Sequence, residues 1–155
     1  MAALNDKFDV LRGWEPGGDA GVDQSFPPDA PGGVPVALLP GYIVHLSATG
    51  TVAVATSPAD VSLGVANMPQ CYIVLEGNVD DYSAQFVNKV VCLRGKLTVK
   101  TDKIDGGSAF PVAGAVSYSA GLLEDKAAAG TTQQIGTVIA NNVSVDGTIT
   151  VELDL

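Results

Sequence analysis

The sequence predicts an all-β protein: a compact β-barrel or β-sandwich of short antiparallel strands, preceded by an irregular Gly/Pro-rich N-terminal arm. Three observations predict it. Runs rich in Val, Ile, Thr and Tyr recur at short intervals, and turn residues bound each run. Apolar residues make up 46% of the 155 residues, which is enough for a core. The N-terminal part lacks these recurring β-rich runs, so we divide the chain into an arm, 1–35, and a β domain, 36–155.

Glycine and proline dominate the second half of the arm. Eleven of the 23 residues from 13 to 35 are Gly or Pro, and the charged residues among them are all acidic. Glycine raises the entropic cost of order and proline removes a backbone donor, so we expect no regular element here. The segment also carries Trp14 and Phe26. Either these aromatic residues pack back on their own domain, or they anchor the arm to a neighbouring subunit.

Ten strands are predicted in the β domain, each bounded by Gly, Pro, Asn or Asp. They are Val36–Leu39, Tyr42–Ser47, Thr51–Ala55, Ser62–Ala66, Tyr72–Glu76, Val90–Leu93, Leu97–Thr101, Ala115–Ser119, Gln134–Ala140 and Thr148–Leu153. We expect hairpin turns at Gly50, Gly95, Gly121 and Asp146–Gly147, since glycine tolerates the positive φ of such turns. A helical turn or two fits only in two places, Tyr82–Lys89 and Leu122–Ala129.

The last predicted strand alternates most clearly. Ile149, Val151 and Leu153 share one face and the polar residues between them share the other, as in a half-buried strand. The same reasoning predicts the core of the domain. Its members are Leu38, Ile43, Val44, Val52, Val54, Leu63, Val65, Val91, Leu93, Leu97, Val99, Val116, Ile135, Val138, Ile149, Val151 and Leu153.

The charge balance disfavours two classes of partner. With 8 basic and 17 acidic residues the net charge is −9, so the chain is poorly suited to bind nucleic acid or an anionic membrane surface. We see no signal peptide and no apolar run of about 18 residues, so we expect synthesis in a cytoplasm. There Cys71 and Cys92 are expected to be free thiols rather than a disulfide, and their spacing fits no usual zinc framework.

The residues of catalysis form no recognisable pattern. His45 is the only histidine and lies in a predicted strand, where packing or surface exposure is its usual role. The sequence contains neither a G-x-S-x-G nucleophile elbow nor a phosphate-binding glycine loop. The adjacent carboxylates Asp80–Asp81 and Glu124–Asp125 could bind calcium, but their spacing does not fit a calcium loop. We therefore expect no enzyme activity, no catalytic residue, no cofactor and no bound metal.

Basic residues concentrate in one place. Five of the eight fall within fifteen positions, with one acidic residue among them. They are Lys89, Arg94, Lys96, Lys100 and Lys103. Lys96 and Lys100 lie an even number of residues apart, so on one strand they share a face. This basic patch is either an edge strand protected from aggregation by lysines or a contact with an acidic neighbour.

The order of the strand motifs resembles that of the small bacteriophage head decoration (cement) proteins. The matching segments are Gly-Tyr-Ile-Val at 41–44, Gly-Thr-Val-Ala-Val at 50–54, Leu-Gly-Val-Ala at 63–66, the strand at 90–99, Val-Ala-Gly-Ala-Val-Ser-Tyr at 112–118, Gly-Leu-Leu at 121–123, Ile-Gly-Thr-Val at 135–138 and the closing strand at 146–153. The resemblance covers residues 36–155 and not the arm. It implies a virion protein on the capsid exterior without an active site, bound to the major capsid protein and self-associated as a homotrimer.

Three other classes remain open. One is another phage virion component, such as a head fibre base or a tail protein. A second is a trimeric β-fold nucleotide hydrolase, at which Asp80-Asp81-Tyr82-Ser83 hints without the glycine that such a motif needs. The third is a secreted carbohydrate-binding module, for which the chain has one Trp and four Tyr to offer.

Overall fold

The computed structural model describes residues 7–13, 21–47, 49–55, 71–77, 89–129 and 134–155. Within them the chain is nearly all β, and its strands form one curled antiparallel sheet with the shape of a half-barrel. The strands are β1 Phe8–Arg12, β2 Gly21–Phe26, β3 Ile43–Leu46, β4 Val52–Val54, β5 Cys71–Glu76, β6 Val90–Thr101, β7 Ala115–Ser119, β8 Leu122–Asp125, β9 Gly136–Asn142 and β10 Thr148–Asp154. Two single helical turns interrupt them, α1 Lys126–Ala129 and α2 Val143–Asp146. The all-β prediction is confirmed.

Strand β6 is the longest element and organises the sheet. The sheet runs in the order β4-β3-β5-β6-β10-β9-β7-β8, and β1 and β2 also pair with β6. The first half of β6 pairs with β2 and β5, and the second half pairs with β1 and β10. All four pairings are antiparallel. Because each half of β6 has two partner strands, both edges of β6 are occupied.

Two hydrophobic clusters lie on opposite faces of β5 and β6. Ile73, Leu93 and Leu97 point into the first cluster, and the alternate residues Tyr72 and Cys92 point into the second. The first cluster consists of Ile43, Ala55, Ile73, Leu93, Leu97, Val99, Phe110, Val116, Tyr118, Leu123, Ile135, Val138, Ile149, Val151 and Leu153. The second consists of Leu38, Val44, Val52, Tyr72, Val74, Val90 and Cys92. This part of the sheet is therefore buried on both faces.

The expectation that 13–35 forms no regular element is wrong for Gly21–Phe26, which is strand β2. Six residues of β2 pair with Val90–Gly95, so the backbone donors and acceptors of β6 overcome the low strand propensity of the segment. One 3₁₀ turn follows at Pro31–Gly33. The division into an arm and a β domain stays a prediction, although the sheet itself begins at β1, before residue 36.

Phe26 packs on its own chain. Its ring meets the ring of Tyr72 edge-on, with 5.1 Å between centroids, and the side chain covers part of the second cluster. Beyond it, Pro27 and Asp29 hydrogen-bond through their backbones to Val52 on β4. The Pro-rich segment thus covers the outer face of the sheet. A contact of Phe26 with a neighbouring subunit stays a prediction, and Trp14 lies outside the described residues.

Several strand predictions need correction. Gly95 does not form a hairpin turn: with φ 117° it lies inside β6, held by its pairing with Gly21 and by the amide of Leu155, 3.1 Å from its carbonyl oxygen. The two predicted strands at 90–93 and 97–101 are therefore one strand. Val36–Leu39 is not a strand, because Pro35 and Pro40 flank it and restrict its backbone.

The segment Leu122–Ala129, where a helical turn or two is expected to fit, is half strand and half helix: its first four residues form β8 and its last four form the helical turn α1. The two-residue turn Ala120–Gly121, with φ 49° and 80°, returns β8 onto β7, and one helical turn remains at its end. Gly50 and Gly147 also have positive φ at turns, as predicted. The predicted strand Ser62–Ala66 and the predicted helical turn Tyr82–Lys89 lie largely outside the described residues, which include only Lys89.

The predicted core is confirmed wherever it can be seen. Of its described members only Val54 and Val91 are partly rather than fully buried, and Leu63 and Val65 lie outside the described residues. One residue of the polar face of β10 departs from the alternation. Thr148 is buried, and its hydroxyl is satisfied there by donating to Oδ1 of Asp146, 2.5 Å away.

The ends of the curled sheet are joined through the β7–β8 turn. The amide of Gly121 donates to Ala55, its carbonyl accepts from Ile43, and a Cβ at this position would lie 2.7 Å from Val54. Past the end of β6, Ile104 forms a parallel bridge with Leu123 of β8. These contacts hold β8 against β3 and β4 and close the first cluster.

We predict that Phe26→Ala lowers the free energy of unfolding by about 2 kcal/mol or more, since it removes apolar burial and an aromatic pair. Urea unfolding measures the change, and it should not depend on protein concentration because the contact lies within one chain. Val34→Ala is the control: Val34 is 70% exposed, so the loss there should stay within about 0.5 kcal/mol. Equal losses in the two variants would contradict the packing of Phe26 on Tyr72.

Candidate protein-contact site

The basic patch is not on an edge strand. Lys96 and Lys100 do share the outer face of β6, as predicted, while Leu97 and Val99 point into the first cluster. Both edges of this half of β6 are paired, by β1 and by β10. The interpretation of the lysines as protection for an exposed edge is therefore wrong, because the edge they would protect is covered by the N-terminal segment.

Carboxylates surround the lysines of the patch. Lys100 Nζ lies 2.9 Å from Oδ2 of Asp146, and Lys103 Nζ lies 2.7 Å from Oδ1 of Asp102. Lys96 is directly opposite Asp154 of β10. The charges of Lys100 and Lys103 are thus offset by carboxylates of the same chain, which weakens the attraction of this part of the patch to an acidic neighbour. Such a contact stays a prediction.

The remaining two basic residues lie toward the start of β6. Lys89 is exposed and directly precedes the strand. The guanidinium of Arg94 lies 5.8 Å from the ring centre of Tyr72, at the border between the second cluster and solvent. The Tyr72 hydroxyl also donates to Oε1 of Gln24, 3.2 Å away. The Arg94 side chain therefore packs across β6 and β5, and Tyr72 connects β5 to β2 through Gln24, contacts that the sequence did not reveal.

Asp146 ties the β9–β10 connection together. Its Oδ1 accepts hydrogen bonds from the amide and the hydroxyl of Thr148, and its Oδ2 pairs with Lys100. The hydrogen bond from the Thr148 hydroxyl, followed by that from Lys100, lowers the pKa of Asp146 to about 2. Lys7 also donates from Nζ to the Asp146 carbonyl oxygen. The carboxylate of Asp146 thus links β6 and β10, and its backbone carbonyl adds a contact with Lys7, the residue before β1.

A shallow groove of about 520 Å³ lies beside the start of β9 and the end of β10. Its lining mixes a lysine, two carboxylates and uncharged side chains: Lys96, Gln134, Ile135, Gly136, Thr137, Glu152, Leu153 and Asp154. Within the described residues no group of three His, Cys, Asp or Glu side chains could hold a metal ion. Asp80–Ser83 lies outside those residues, and Glu124–Asp125 ends β8.

His45 lies on β3, directly opposite Cys71 of β5. A cysteine beside a histidine is the arrangement of a thiol nucleophile, which requires a lowered thiol pKa. Burial instead raises the pKa of Cys71, and its Sγ lies 3.4 Å from the hydroxyl of Tyr118. The geometry therefore gives this pair no activated nucleophile.

Cys71 and Cys92 are not joined in a disulfide, as expected. Cys92 points into the second cluster, whereas Cys71 packs against the first, so the sheet itself separates the two sulfur atoms. Burial raises the pKa of Cys92 to about 12. The thiols are thus kept apart and unreactive by their positions on the two faces of one sheet.

A set of exposed apolar side chains, which sequence reasoning missed, gathers around β9 and α2. We call it the apolar face; it consists of Val112, Ile139, Val143 and Val145, which are 64%, 45%, 44% and 83% exposed. The loop that carries Val112 is bonded to β9 by the amide of Ala113, which donates to the Val138 carbonyl at 2.8 Å. A signal was present in the sequence, because 106–123 and 127–145 contain no charged residue.

Backbone strain shapes the loop beneath the apolar face. Phe110 and Ala113 have φ of 48° and 66°, a region that residues other than glycine rarely adopt. The loop is held there by the buried Phe110 ring and by the side-chain amide of Asn141, which donates to the carbonyls of Ala109 and Phe110 at 2.9 and 3.1 Å. Val112 is exposed at the centre of this fixed loop.

No protein-family model, curated protein or solved structure matches the chain. Among the described residues, no helix has the length and apolar character needed to cross a membrane.

We predict that Asp146→Asn lowers the melting temperature at neutral pH and removes one acid-sensitive contribution to stability. A carboxyl with a lowered pKa stabilises the fold above its unfolded value of 3.8, and this contribution disappears as the pH falls through about 2. The difference in melting temperature between wild type and variant should therefore shrink from pH 4 to pH 2. Glu152→Gln, an exposed change on β10, is the control, and a constant difference for Asp146→Asn would contradict the assignment.

We predict that Cys92 does not react with a thiol reagent in the native protein at about pH 8, because it is buried and protonated. In the Cys71→Ser variant, colour should develop only after unfolding in guanidinium. Wild type unfolded without reductant should yield both thiols. Rapid labelling of native Cys71→Ser, or fewer than two thiols in wild type, would contradict the assignment.

Proposed function

We propose that the chain is a structural virion protein: a decoration (cement) protein that binds the outside of a bacteriophage head shell and stabilises it. Its partner is the major capsid protein, and it self-associates as a homotrimer on the capsid exterior. One observation carries the proposal. Most of the segments whose order resembles decoration proteins form strands of a single antiparallel sheet: Ile43–Leu46, Val52–Val54, Val90–Thr101, Ala115–Ser119, Gly136–Asn142 and Thr148–Asp154.

The surface chemistry supports a role in protein contact. Charged residues make up 16% of the chain, well below the roughly 25% of an average globular protein. Apolar side chains stand in solvent on the apolar face, and exposed apolar patches mark interaction sites. A protein that remains bound to a shell needs such contacts more than it needs a pocket.

The N-terminal segment supports the same role. It runs antiparallel along β6 in two strands and then covers the second cluster, so it braces the sheet on one edge and one face. Leu11 and Val34, which are 57% and 70% exposed, remain available on it for a neighbour. A brace with exposed apolar positions suits a protein that is itself held between other subunits.

The test is binding to undecorated heads of the phage whose genome contains this coding sequence. We predict saturable co-sedimentation of the purified chain with these heads, and a rise in the temperature at which the heads release DNA. Heads that already carry their full decoration are the control and should bind little more. Equal binding to the two kinds of head, or a coding sequence remote from phage head genes, would contradict the proposal.

A further inference from the structure

We infer that Asp105–Gly106 is a site of covalent modification, at which the aspartyl bond rearranges without an enzyme to an isoaspartyl bond. The site lies in the turn that follows the bridge of Ile104 to β8. The chain contains two Asp-Gly pairs, Asp105–Gly106 and Asp146–Gly147, and no Asn-Gly pair. The fold leaves the first pair open to reaction and ties down the second. The inference goes beyond the proposed function and does not rest on it.

The reaction needs only the two residues and water. The backbone nitrogen of Gly106 forms a bond to Cγ of Asp105, and one carboxyl oxygen leaves as water with the amide hydrogen and a proton from solvent. The product is a five-membered succinimide ring. A second water then opens the ring: attack on the main-chain carbonyl leaves Gly106 linked to the side-chain carboxyl, and attack on the other carbonyl restores Asp105. Glycine favours the first step because it has no Cβ to obstruct the approach.

The attacking nitrogen is accessible. Gly106 and Gly107 are exposed at the centre of a turn, which the Ser108 amide closes by donating to the Asp105 carbonyl at 3.2 Å. No described residue accepts a hydrogen bond from the Gly106 amide. A Cβ at Gly106 would have no atom within 4 Å beyond its chain neighbours. The nitrogen can therefore approach the carboxyl without breaking a contact of the fold.

The carboxyl that must be attacked is held over the same turn. The Ser108 hydroxyl donates to Oδ2 of Asp105, 3.1 Å away, and itself accepts from the Asp125 amide at 3.0 Å. A Cβ added at Gly107 would lie 3.3 Å from that Oδ2, so the carboxyl lies beside the backbone of the turn rather than in open solvent. The two reacting groups are thus kept together within a single turn.

The second Asp-Gly pair has the same two residues in the opposite surroundings. The Gly147 amide donates to the Val143 carbonyl at 3.1 Å, so the nitrogen that would attack is engaged. The Asp146 carboxylate accepts from the amide and the hydroxyl of Thr148 and pairs with Lys100. Reaction there requires these contacts to break first, and the frequency of such local opening limits its rate.

The modification changes the backbone at a junction of the sheet. The Asp105 amide donates to the Leu123 carbonyl at 2.8 Å, and Ile104 bridges the same residue of β8. An isoaspartyl linkage adds one atom to the main chain directly after this junction, which helps to close the first cluster. We therefore expect the modified protein to melt at a lower temperature than the unmodified protein.

The experiment incubates the full-length protein at physiological temperature and neutral pH, in native buffer and in concentrated urea. Peptide mapping with electron-transfer fragmentation locates isoaspartate at intervals, because the rearrangement leaves the mass unchanged. In native buffer we expect Asp105 to rearrange faster than Asp146 by about tenfold or more. In urea the two rates should converge, because the fold no longer protects the second pair.

Three results would overturn the inference. One is native protein in which Asp146 rearranges as fast as Asp105. Another is native protein in which no isoaspartate forms at Asp105. The third is a difference between the two sites that persists unchanged in urea, since its cause would then be the neighbouring sequence and not the fold.

Gly106→Ala is the matched variant. A Cβ at this position meets open space and the φ of Gly106 is not positive, so the fold should be kept, as circular dichroism and thermal unfolding verify. In native buffer the variant should form isoaspartate at Asp105 about tenfold more slowly than wild type, because the methyl group obstructs the attack. The rate at Asp146 is the internal control and should not change. Equal rates at Asp105 in the variant and in wild type would also sink the inference.

Discussion

The pairing of β6 on both edges is the constraint on which the rest of the structure depends. Twelve residues, Val90–Thr101, hydrogen-bond to four strands, so the N-terminal segment, the β3–β5 unit and the β9–β10 hairpin all meet on one backbone. Because alternate side chains of a strand point to opposite faces, β6 also supplies both hydrophobic clusters. Because β1 and β2 pair with β6 in addition to β5 and β10, neither half of this central strand has an open edge.

The N-terminal segment contributes to the fold by pairing with β6 and by covering the second cluster. It has little apolar content of its own, and ordering each residue costs on the order of 1–2 kcal/mol. Backbone pairing with β6 and the contact between Phe26 and Tyr72 offset that cost. Strands β1 and β2 of the same segment pair with β6, which carries the basic patch, so β6 is not an edge strand. Nearby carboxylates offset the charges of Lys100 and Lys103.

Local sequence pattern was sufficient for most of the β domain. Hydrophobic alternation located β3, β4, β5, β7, β9 and β10 and most of the core, and glycine placed the turns at Gly50, Gly121 and Gly147. It was insufficient at Gly95, since a glycine that permits a turn also permits a bend within a strand. It was insufficient at β8, where pairing with β7 decides between helix and strand.

The sequence by itself determined the β class, the acidic charge and the shared face of Lys96 and Lys100, because these follow from composition and strand periodicity. Only the tertiary structure decided that β6 is central, that Phe26 packs on Tyr72 and that the apolar face exists. The physical reason is that the partners of a strand, and whether a side chain is covered or exposed, depend on residues that are distant in the sequence. Val112 and Ile139 are 27 positions apart and have the periodicity of ordinary core residues, and the packing around them leaves both in solvent.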